Sequence, residues 1–497
     1  MGQKSVASVE NMPEQLCNAS VGLTCHFKER IALWYTRSRF RMSASGGYVA
    51  RAERTILYWL FLLAIPVALT ATVWIAFSTR INRHPDEILH LDAIRYYAEQ
   101  WLPPKLNADG LVYGPDGWSR VYNDEVVYWF YGRSVAAVRV GAGVADAITG
   151  LNTQAQLQLP YNPLARLLNI ALFAVTLIVL AVAARQRTLA LSIGLLLLST
   201  PQIIYLYAYS NSDAWGLSWV IFAALLLTKR TPLFSQRRDG IVLGVMLGMI
   251  LLSKEPFWLA LPFLLVLALL QPRAADAGKA TQARPMIGAT VALSIVLIAL
   301  LPYKVLYPVS QGNYAELALA TRDQRAWPGF GPSNPTEPSR QWRDKGTPFL
   351  AVAQNQAWYR ISLQSFYGYF GYMTVPLLLW QYYLAGATAL LCVAATFGTA
   401  VAAPRHRSRR SQLLFLAAAL CVGLSVGASL YHSWTVDIQP QGRYLFGSAP
   451  AIALLVGGIA EREPLWLARA RVGVWVLLVL LSLGAVLLLV PANPLLL

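Results

Sequence analysis

The chain has 497 residues, of which 56% are hydrophobic and only 13% are charged, whereas soluble domains carry about 25% charged residues. This composition excludes an ordinary soluble protein. The formal net charge of +17 first suggests a nucleic-acid-binding protein, but the basic residues concentrate in alternate short loops between apolar segments. That pattern is a topology signal with added attraction to anionic lipids, so nucleic acid is excluded as a partner.

Eleven apolar segments, several of them about 20 residues long, predict an all-α polytopic membrane protein with about 11 transmembrane helices. They cover residues 55–79, 164–183, 188–206, 214–228, 239–252, 257–271, 286–306, 374–402, 412–430, 444–460 and 472–490. The loop at 229–238 carries 4 Lys/Arg, whereas the loops at 207–213 and 431–442 carry none. The positive-inside rule therefore places the N-terminus of this multi-pass protein in the cytoplasm. Arg outnumbers Lys by 33 to 8, and Leu and Ala abound, which indicates a high-GC bacterium and hence its inner membrane.

The predicted spans divide the chain into four parts. A basic cytoplasmic segment, residues 1–54, precedes a transmembrane module at 55–306 that contains a first outer loop at 80–163. A second outer loop at 307–373 leads to C-terminal transmembrane helices at 374–497. The four cysteines, at 17, 25, 392 and 421, leave both outer loops without a disulfide framework.

The first outer loop opens with "INRHPDEILHLDAIRYY", residues 81–97. Pro85, Asp86 and Glu87 predict a helix start, because Pro suits the first turn and acidic groups suit the helix dipole. The "WLPP" at 101–104 predicts the end of this helix, and a second helix is predicted near 123–147. We expect both helices to lie along the membrane surface.

The second outer loop is basic and aromatic at 322–346, and its Pro and Gly content predicts a mobile segment. A further surface helix is predicted to follow and to lead into the eighth span. The fifth and sixth spans are short and meet at "SKEP", residues 253–256. This pair predicts spans that tilt or stop short beside a cavity.

Charged residues at membrane depth are costly and by default mark function. The topology gathers several at the outer face: Asp86, Glu87, His90, Asp213, Lys254, Glu255, Lys304, Arg360 and Arg443. Each also has a structural interpretation, such as a helix cap, a local Lys254–Glu255 ion pair or a snorkelling Lys304. Independent caps have no need to share one face, which favours a common site.

Carboxylates beside a histidine at a lipid–water boundary can deprotonate a hydroxyl or hold a divalent cation. Asp86 and Glu87 are the candidate catalytic bases. With His90 they could bind Mg²⁺ or Mn²⁺, although no ligand spacing demands a metal.

Lysine and arginine at the same level can clamp a phosphate. Lys254 and Arg443 are the leading candidates for this contact. The full predicted substrate-binding set is His90, Asp213, Lys254, Gln441, Arg443 and Arg360. This set suits transfer of a sugar from a lipid phosphate carrier, with inversion at the anomeric carbon.

"HPDEILH", "YSNSDAW", "SKEPFW", "SFYGYFGYMTVP" and "QGRYLFGSAP" resemble motifs of a largely uncharacterised bacterial family of predicted integral membrane proteins within the GT-C superfamily of glycosyltransferases. The resemblance covers about residues 55–460. It implies a GT-C-like fold, a polyprenyl-phosphate-linked sugar donor and an extracytoplasmic active site at the acidic motif, which Asp86 and Glu87 match. The expected acceptor is a glycan, lipid or protein of the cell envelope. Glu255 departs from the pattern and puts the role of Lys254 in doubt.

Two other functions fit the same residues. A transporter or flippase of lipid-linked sugars would place its charges near the bilayer midplane and often shows internal repeats. No repeat is visible in the sequence, and the charges share one face. A polysaccharide polymerase or ligase would use the basic second loop, Arg322 to Arg360, to hold a growing chain.

Overall fold

The computed structural model describes residues 52–149, 164–229, 237–270, 291–298, 300–402, 409–457 and 465–489. These residues are mostly helical, as the composition predicts. The N-terminal segment, including Cys17, Cys25 and most of the predicted cytoplasmic part, lies outside the described residues.

The described α-helices are numbered in chain order. They are α1 (Ala52–Ser78), α2 (Glu87–Glu99), α3 (Val127–Thr149), α4 (Leu164–Ala184), α5 (Thr188–Ser199), α6 (Pro201–Leu206), α7 (Asp213–Leu227), α8 (Arg237–Leu251), α9 (Leu261–Leu269), α10 (Val291–Ile298), α11 (Tyr307–Ser310), α12 (Tyr314–Arg325), α13 (Phe349–Ala353), α14 (Gln356–Gly368), α15 (Leu379–Ala402), α16 (Arg409–Thr435), α17 (Ala449–Gly457) and α18 (Leu465–Gly484). Short 3₁₀ helices cover Arg120–Tyr122, Glu255–Ala260 and Gly442–Ser448, and π-helical turns cover Leu301–Leu306 and Ala485–Leu489.

Within the described residues, four helices are long and apolar enough to cross a membrane by length and composition. They are Ala52–Ser78, Leu164–Ala184, Arg409–Thr435 and Arg469–Leu488. A bent pair, Val291–Ile298 with Leu301–Ser310, makes a fifth if it is one span. Shorter apolar helices lie over other predicted segments, so the count of eleven remains a prediction.

The centre of the helical core is α5. Every residue from Ala190 to Ser199 is buried, and a helix that is apolar all round is buried on all sides. It packs against α4, α17 and α18. Gly194 permits the close approach of α1, because a Cβ at this position would lie 2.5 Å from the Phe61 ring.

The predicted helices of the first outer loop are confirmed as α2 and α3. They pack directly against each other, and a Cβ at Gly132 of α3 would lie 2.5 Å from the Tyr97 backbone of α2. Their shared core includes Ile94 and Tyr131. The two helices therefore pack together as one unit, and their position along the membrane surface stays a prediction.

The two outer loops are joined at Gly117, which has a φ of +70°. A Cβ there would lie 2.0 Å from the carbonyl oxygen of Arg322, so only glycine lets the end of α12 pack on this turn. The backbone N–H of Trp327 donates to the carbonyl of Pro115 over 2.9 Å. The segment predicted to be mobile is thus held by defined contacts, including a β-bridge between Arg340 and Asp437.

The rest of the second loop continues to a small hairpin. The predicted surface helix is broken into α13 and α14. The antiparallel strands β1 (Tyr369–Phe370) and β2 (Val375–Pro376) follow, and their connecting turn includes Gly371 and Met373, both with positive φ.

Candidate functional site

One cavity of about 910 Å³ lies where the two outer loops meet the ends of several helices. Its wall comes from the α1–α2 turn, the first loop, the β1–β2 turn, the C-terminal end of α16 and the 3₁₀ helix at Gly442–Ser448. The turn at 253–256 also lines it. This confirms the prediction that the short pair of apolar segments ends beside a cavity.

Asp86 lies at the cavity wall in the left-handed backbone region, with φ 56° and ψ 12°. A non-glycine residue is uncommon there, although Asp tolerates it better than most. Its side chain is 30% exposed, and one carboxylate oxygen lies 3.4 Å from Arg120 and 3.7 Å from Arg443. Burial acts to raise the pKa of the Asp86 carboxyl, but the charges of Arg120, Arg443 and Lys254 outweigh it and hold the pKa below its usual value. Asp86 is therefore a carboxylate at neutral pH.

A second carboxylate, Asp213, lies in the first turn of α7. It is 2.9 Å from the Lys254 ammonium and 3.8 Å from the Arg443 guanidinium. Lys254 therefore pairs with Asp213 rather than with its neighbour Glu255. Arg443 bridges Asp86 and Asp213, so four residues of the predicted group, Asp86, Asp213, Lys254 and Arg443, form one cluster.

The cluster joins three cations, Arg120, Lys254 and Arg443, to two carboxylates. Its net charge of +1 follows from the formal charges of these five groups. The Nε of Arg443 and one Asp213 oxygen are buried and have no hydrogen-bond partner among the described residues. A buried donor without a hydrogen-bond partner is costly. An anionic oxygen bound beside Arg443 would accept a hydrogen bond from this Nε–H and would be stabilised by it.

Glu87, although adjacent to Asp86, does not line the cavity. Its side chain is 0% exposed, and both oxygens accept from Arg166 over 2.7 Å. Arg166 also donates to the carbonyls of Ala76 and Thr79 at the end of α1. This buried pair fixes the turn between α1 and α2, which corrects the expectation that Glu87 is exposed to substrate as a second candidate base.

His90 is also fully buried, and its Nδ1 is hydrogen-bonded to the Tyr128 hydroxyl over 2.7 Å. Burial, together with Lys254, Arg120 and Arg443, holds the pKa of His90 well below its usual value. Asp86, Glu87 and His90, which the sequence allowed as a possible metal site, do not form one among the described residues. No group of three or more His, Cys, Asp or Glu in the described part of the chain has metal-binding geometry.

The two remaining predicted binding residues, Gln441 and Arg360, differ in their position relative to the cavity. Gln441 lines the cavity next to Arg443, and its buried Oε1 has no hydrogen-bond partner among the described residues. Arg360 is exposed on α14 and does not line the cavity. Its predicted role in substrate binding is therefore not supported by its position.

Sequence reasoning missed two residues that the structure makes central. Arg120 contacts Asp86 from 34 positions along the chain, and its local sequence gives no sign of this contact. Arg166 was detectable, since it is a charged residue at the start of the apolar segment 164–183, and such residues usually have a buried partner.

The apolar helices define a helical multi-pass membrane protein with a charged cavity at the ends of its helices. More particularly, the chain belongs to the DUF2142 family of predicted membrane proteins, whose model matches residues 160–453. The matched region contains Asp213, Lys254 and Arg443 and begins after Asp86. No curated protein and no solved structure shows significant similarity to the chain.

Proposed function

We propose that the protein is an inverting glycosyltransferase of the GT-C type, with about 11 spans, acting at the periplasmic face of a bacterial inner membrane. Its donor is a sugar linked to polyprenyl phosphate, and its acceptor is a hydroxyl of a cell-envelope glycan, lipid or protein. One observation carries the proposal: a partly exposed carboxylate, Asp86, shares a cavity wall with three cations.

The proposed reaction is a single displacement. Asp86 takes the proton of the acceptor hydroxyl, the hydroxyl oxygen attacks the anomeric carbon, and the bond between that carbon and the phosphate oxygen breaks. The polyprenyl phosphate leaves with the bonding electrons. In this mechanism Arg120, Lys254 and Arg443 stabilise the developing negative charge, and stabilisation of this kind is the largest single contribution in many transfer enzymes.

Asp86, and not Glu87, is the base in this mechanism. A general base must reach the proton that it removes, and the Asp86 carboxylate is exposed to the cavity. Glu87 is fully buried and both of its oxygens are occupied by Arg166. Glu87 therefore holds the turn that presents Asp86.

The test uses the purified protein in lipid nanodiscs with radiolabelled polyprenyl-phosphate hexoses and pentoses and an envelope fraction as acceptor. We expect wild-type transfer, and a fall of about 10²–10⁴-fold in Asp86→Asn, the usual contribution of general acid–base catalysis. Asp344→Asn, which alters an exposed carboxylate paired with Arg343, is the matched control. Full activity of Asp86→Asn would exclude the assigned base.

A polymerase or ligase version of this activity has its own support. Two arginines of the second outer loop, Arg322 and Arg340, line the same cavity as Asp86, whereas Arg343 does not. Product length measured in Arg340→Gln separates the versions: normal single-sugar transfer with shortened chains favours polymerisation.

A further inference from the structure

The outer part of the cavity contains the same three-residue arrangement twice. In the first, the Arg322 guanidinium lies over the Trp118 ring, 5.7 Å from the ring centroid, and 2.7 Å from Asp116. In the second, the Arg340 guanidinium lies over the Phe330 ring, 5.8 Å from the ring centroid, and 3.7 Å from Asp437. All six side chains line the cavity.

Both arginines retain an unused donor. The Nε atoms of Arg322 and Arg340 are buried and have no hydrogen-bond partner among the described residues. Arg340 is only 6% exposed. A buried donor without a partner is costly and is normally satisfied by a protein group, an ordered water or a ligand.

A third group of arginine, aromatic ring and carboxylate lies outside the cavity lining and provides a structural comparison. Arg325 lies 5.0 Å above the Tyr113 ring and 2.6 Å from Asp109. Its Nε donates to the Asn107 side chain over 2.7 Å, and it does not line the cavity. The two arrangements inside the cavity therefore differ from it in the free donor and in access to the cavity.

The chemistry of the two units matches a saccharide. A sugar ring has an apolar face that packs on the part of an aromatic ring that the guanidinium leaves uncovered, and Trp118 and Phe330 are both only partly buried. Its hydroxyls accept from guanidinium and donate to carboxylate. Each arginine is already paired with one carboxylate, so the two units together are formally neutral. An uncharged saccharide therefore fits them better than an acidic one.

We propose that this outer part of the cavity is the acceptor site and binds a neutral saccharide of at least two residues. The assignment of the bound saccharide as the acceptor rests on the proposed glycosyltransferase function. Trp118 and Asp86 line the same cavity, and Arg120, two positions after Trp118, contacts Asp86, so a saccharide bound on Trp118 lies in the same cavity as the proposed base.

The test measures binding, without any transfer, by the full chain in nanodiscs. The probes are neutral linear tetrasaccharides of glucose, mannose and galactose, the matching monosaccharides, and the trimer of galacturonic acid. We expect at least one tetrasaccharide to bind more tightly than its monosaccharide. Arg322→Gln and Arg340→Gln should weaken that binding at least 10-fold, and Arg325→Gln should leave it unchanged.

Three outcomes would overturn the proposal: no tetrasaccharide binds, the galacturonic acid trimer binds more tightly, or Arg325→Gln weakens binding as much as the cavity variants. Phe330→Leu, which keeps the apolar contact but removes the ring, supplies a second variant if Arg340→Gln does not fold; unchanged binding would count against the site. Asp86→Asn should lower transfer about 10²–10⁴-fold but keep saccharide binding. Binding without wild-type transfer would overturn the proposed function and leave the saccharide site in place.

Discussion

The buried pair of Glu87 and Arg166 gives the sharpest test of how the site is held. Glu87→Gln keeps the size of the side chain and removes its charge. Arg166 is 4% exposed and Glu87 is 0% exposed, so the substitution leaves a buried guanidinium without its carboxylate.

The expected cost follows from these contacts. Removing one partner of a buried ion pair typically destabilises a protein by about 3–5 kcal/mol, because the remaining charge stays desolvated. Arg166 keeps its hydrogen bonds to the carbonyls of Ala76, Thr79 and Arg80. We therefore expect the lower end of that range, about 3 kcal/mol of unfolding free energy.

The measurement is unfolding of the purified protein in mixed micelles with increasing SDS, followed by tryptophan fluorescence. Asp344→Asn is the control, and its exposed side chain predicts an unchanged midpoint. The double variant Glu87→Gln/Arg166→Met removes both charges and should recover part of the loss, since neutral replacement of a buried pair is often tolerated.

Activity separates a positioning role from a catalytic one. The folded fraction of Glu87→Gln should retain measurable transfer at low temperature, whereas Asp86→Asn should fold normally and lose transfer. A loss of less than about 1 kcal/mol in Glu87→Gln, well under the range for a broken buried pair, would refute the argument. Wild-type stability together with complete loss of transfer would make Glu87 a catalytic group.

Three further predictions test the cluster and the loops. Lys254→Gln should lower affinity for polyprenyl phosphate about 10- to 100-fold, because a hydrogen bond to a charged group is worth about 1.5–3 kcal/mol; Arg360→Gln should not, and equal losses in a nanodisc titration would contradict the phosphate assignment. The depressed pKa of Asp86 keeps the carboxylate ionised as the pH falls, and activity is lost only near that pKa. Arg120→Gln removes a cation that lowers it, so the acid limb of the pH–rate profile should move to higher pH; an unmoved limb would separate Arg120 from Asp86. Gly117→Ala places a Cβ against the Arg322 carbonyl and should speed tryptic cleavage near Arg322, and an unchanged cleavage rate would show that the loop junction tolerates it.

The helices whose ends carry clear local signals were predictable from the sequence. The first-loop helices were expected from Pro85 and "WLPP" because Pro and the acidic first turn act locally. The grouping of Asp86, Asp213, Lys254 and Arg443 was predictable from loop charge, since each residue lies near the end of an apolar segment on the same predicted side of the membrane.

The partners inside the cluster were not predictable, because they depend on contacts between distant segments. Lys254 pairs with Asp213 rather than with the adjacent Glu255, and that choice depends on how α7 meets the turn at 253–256. Glu87 and Asp86 are neighbours with similar chemistry, and only Arg166, 79 positions further on, distinguishes their roles. The Pro/Gly content of 322–346 indicated mobility, but the contacts of Gly117 and Asp437 hold this segment.

The junction at Gly117 also limits how early the cavity can form during synthesis of the chain. The ion pair beside it joins Asp116 and Arg322, which are 206 residues apart. At about 5–20 residues per second, the ribosome needs roughly 10–40 s to add the missing partner. During that time the contacts between the two loops cannot form, so the part of the cavity wall that contains Asp116 and Arg322 is completed only late in synthesis.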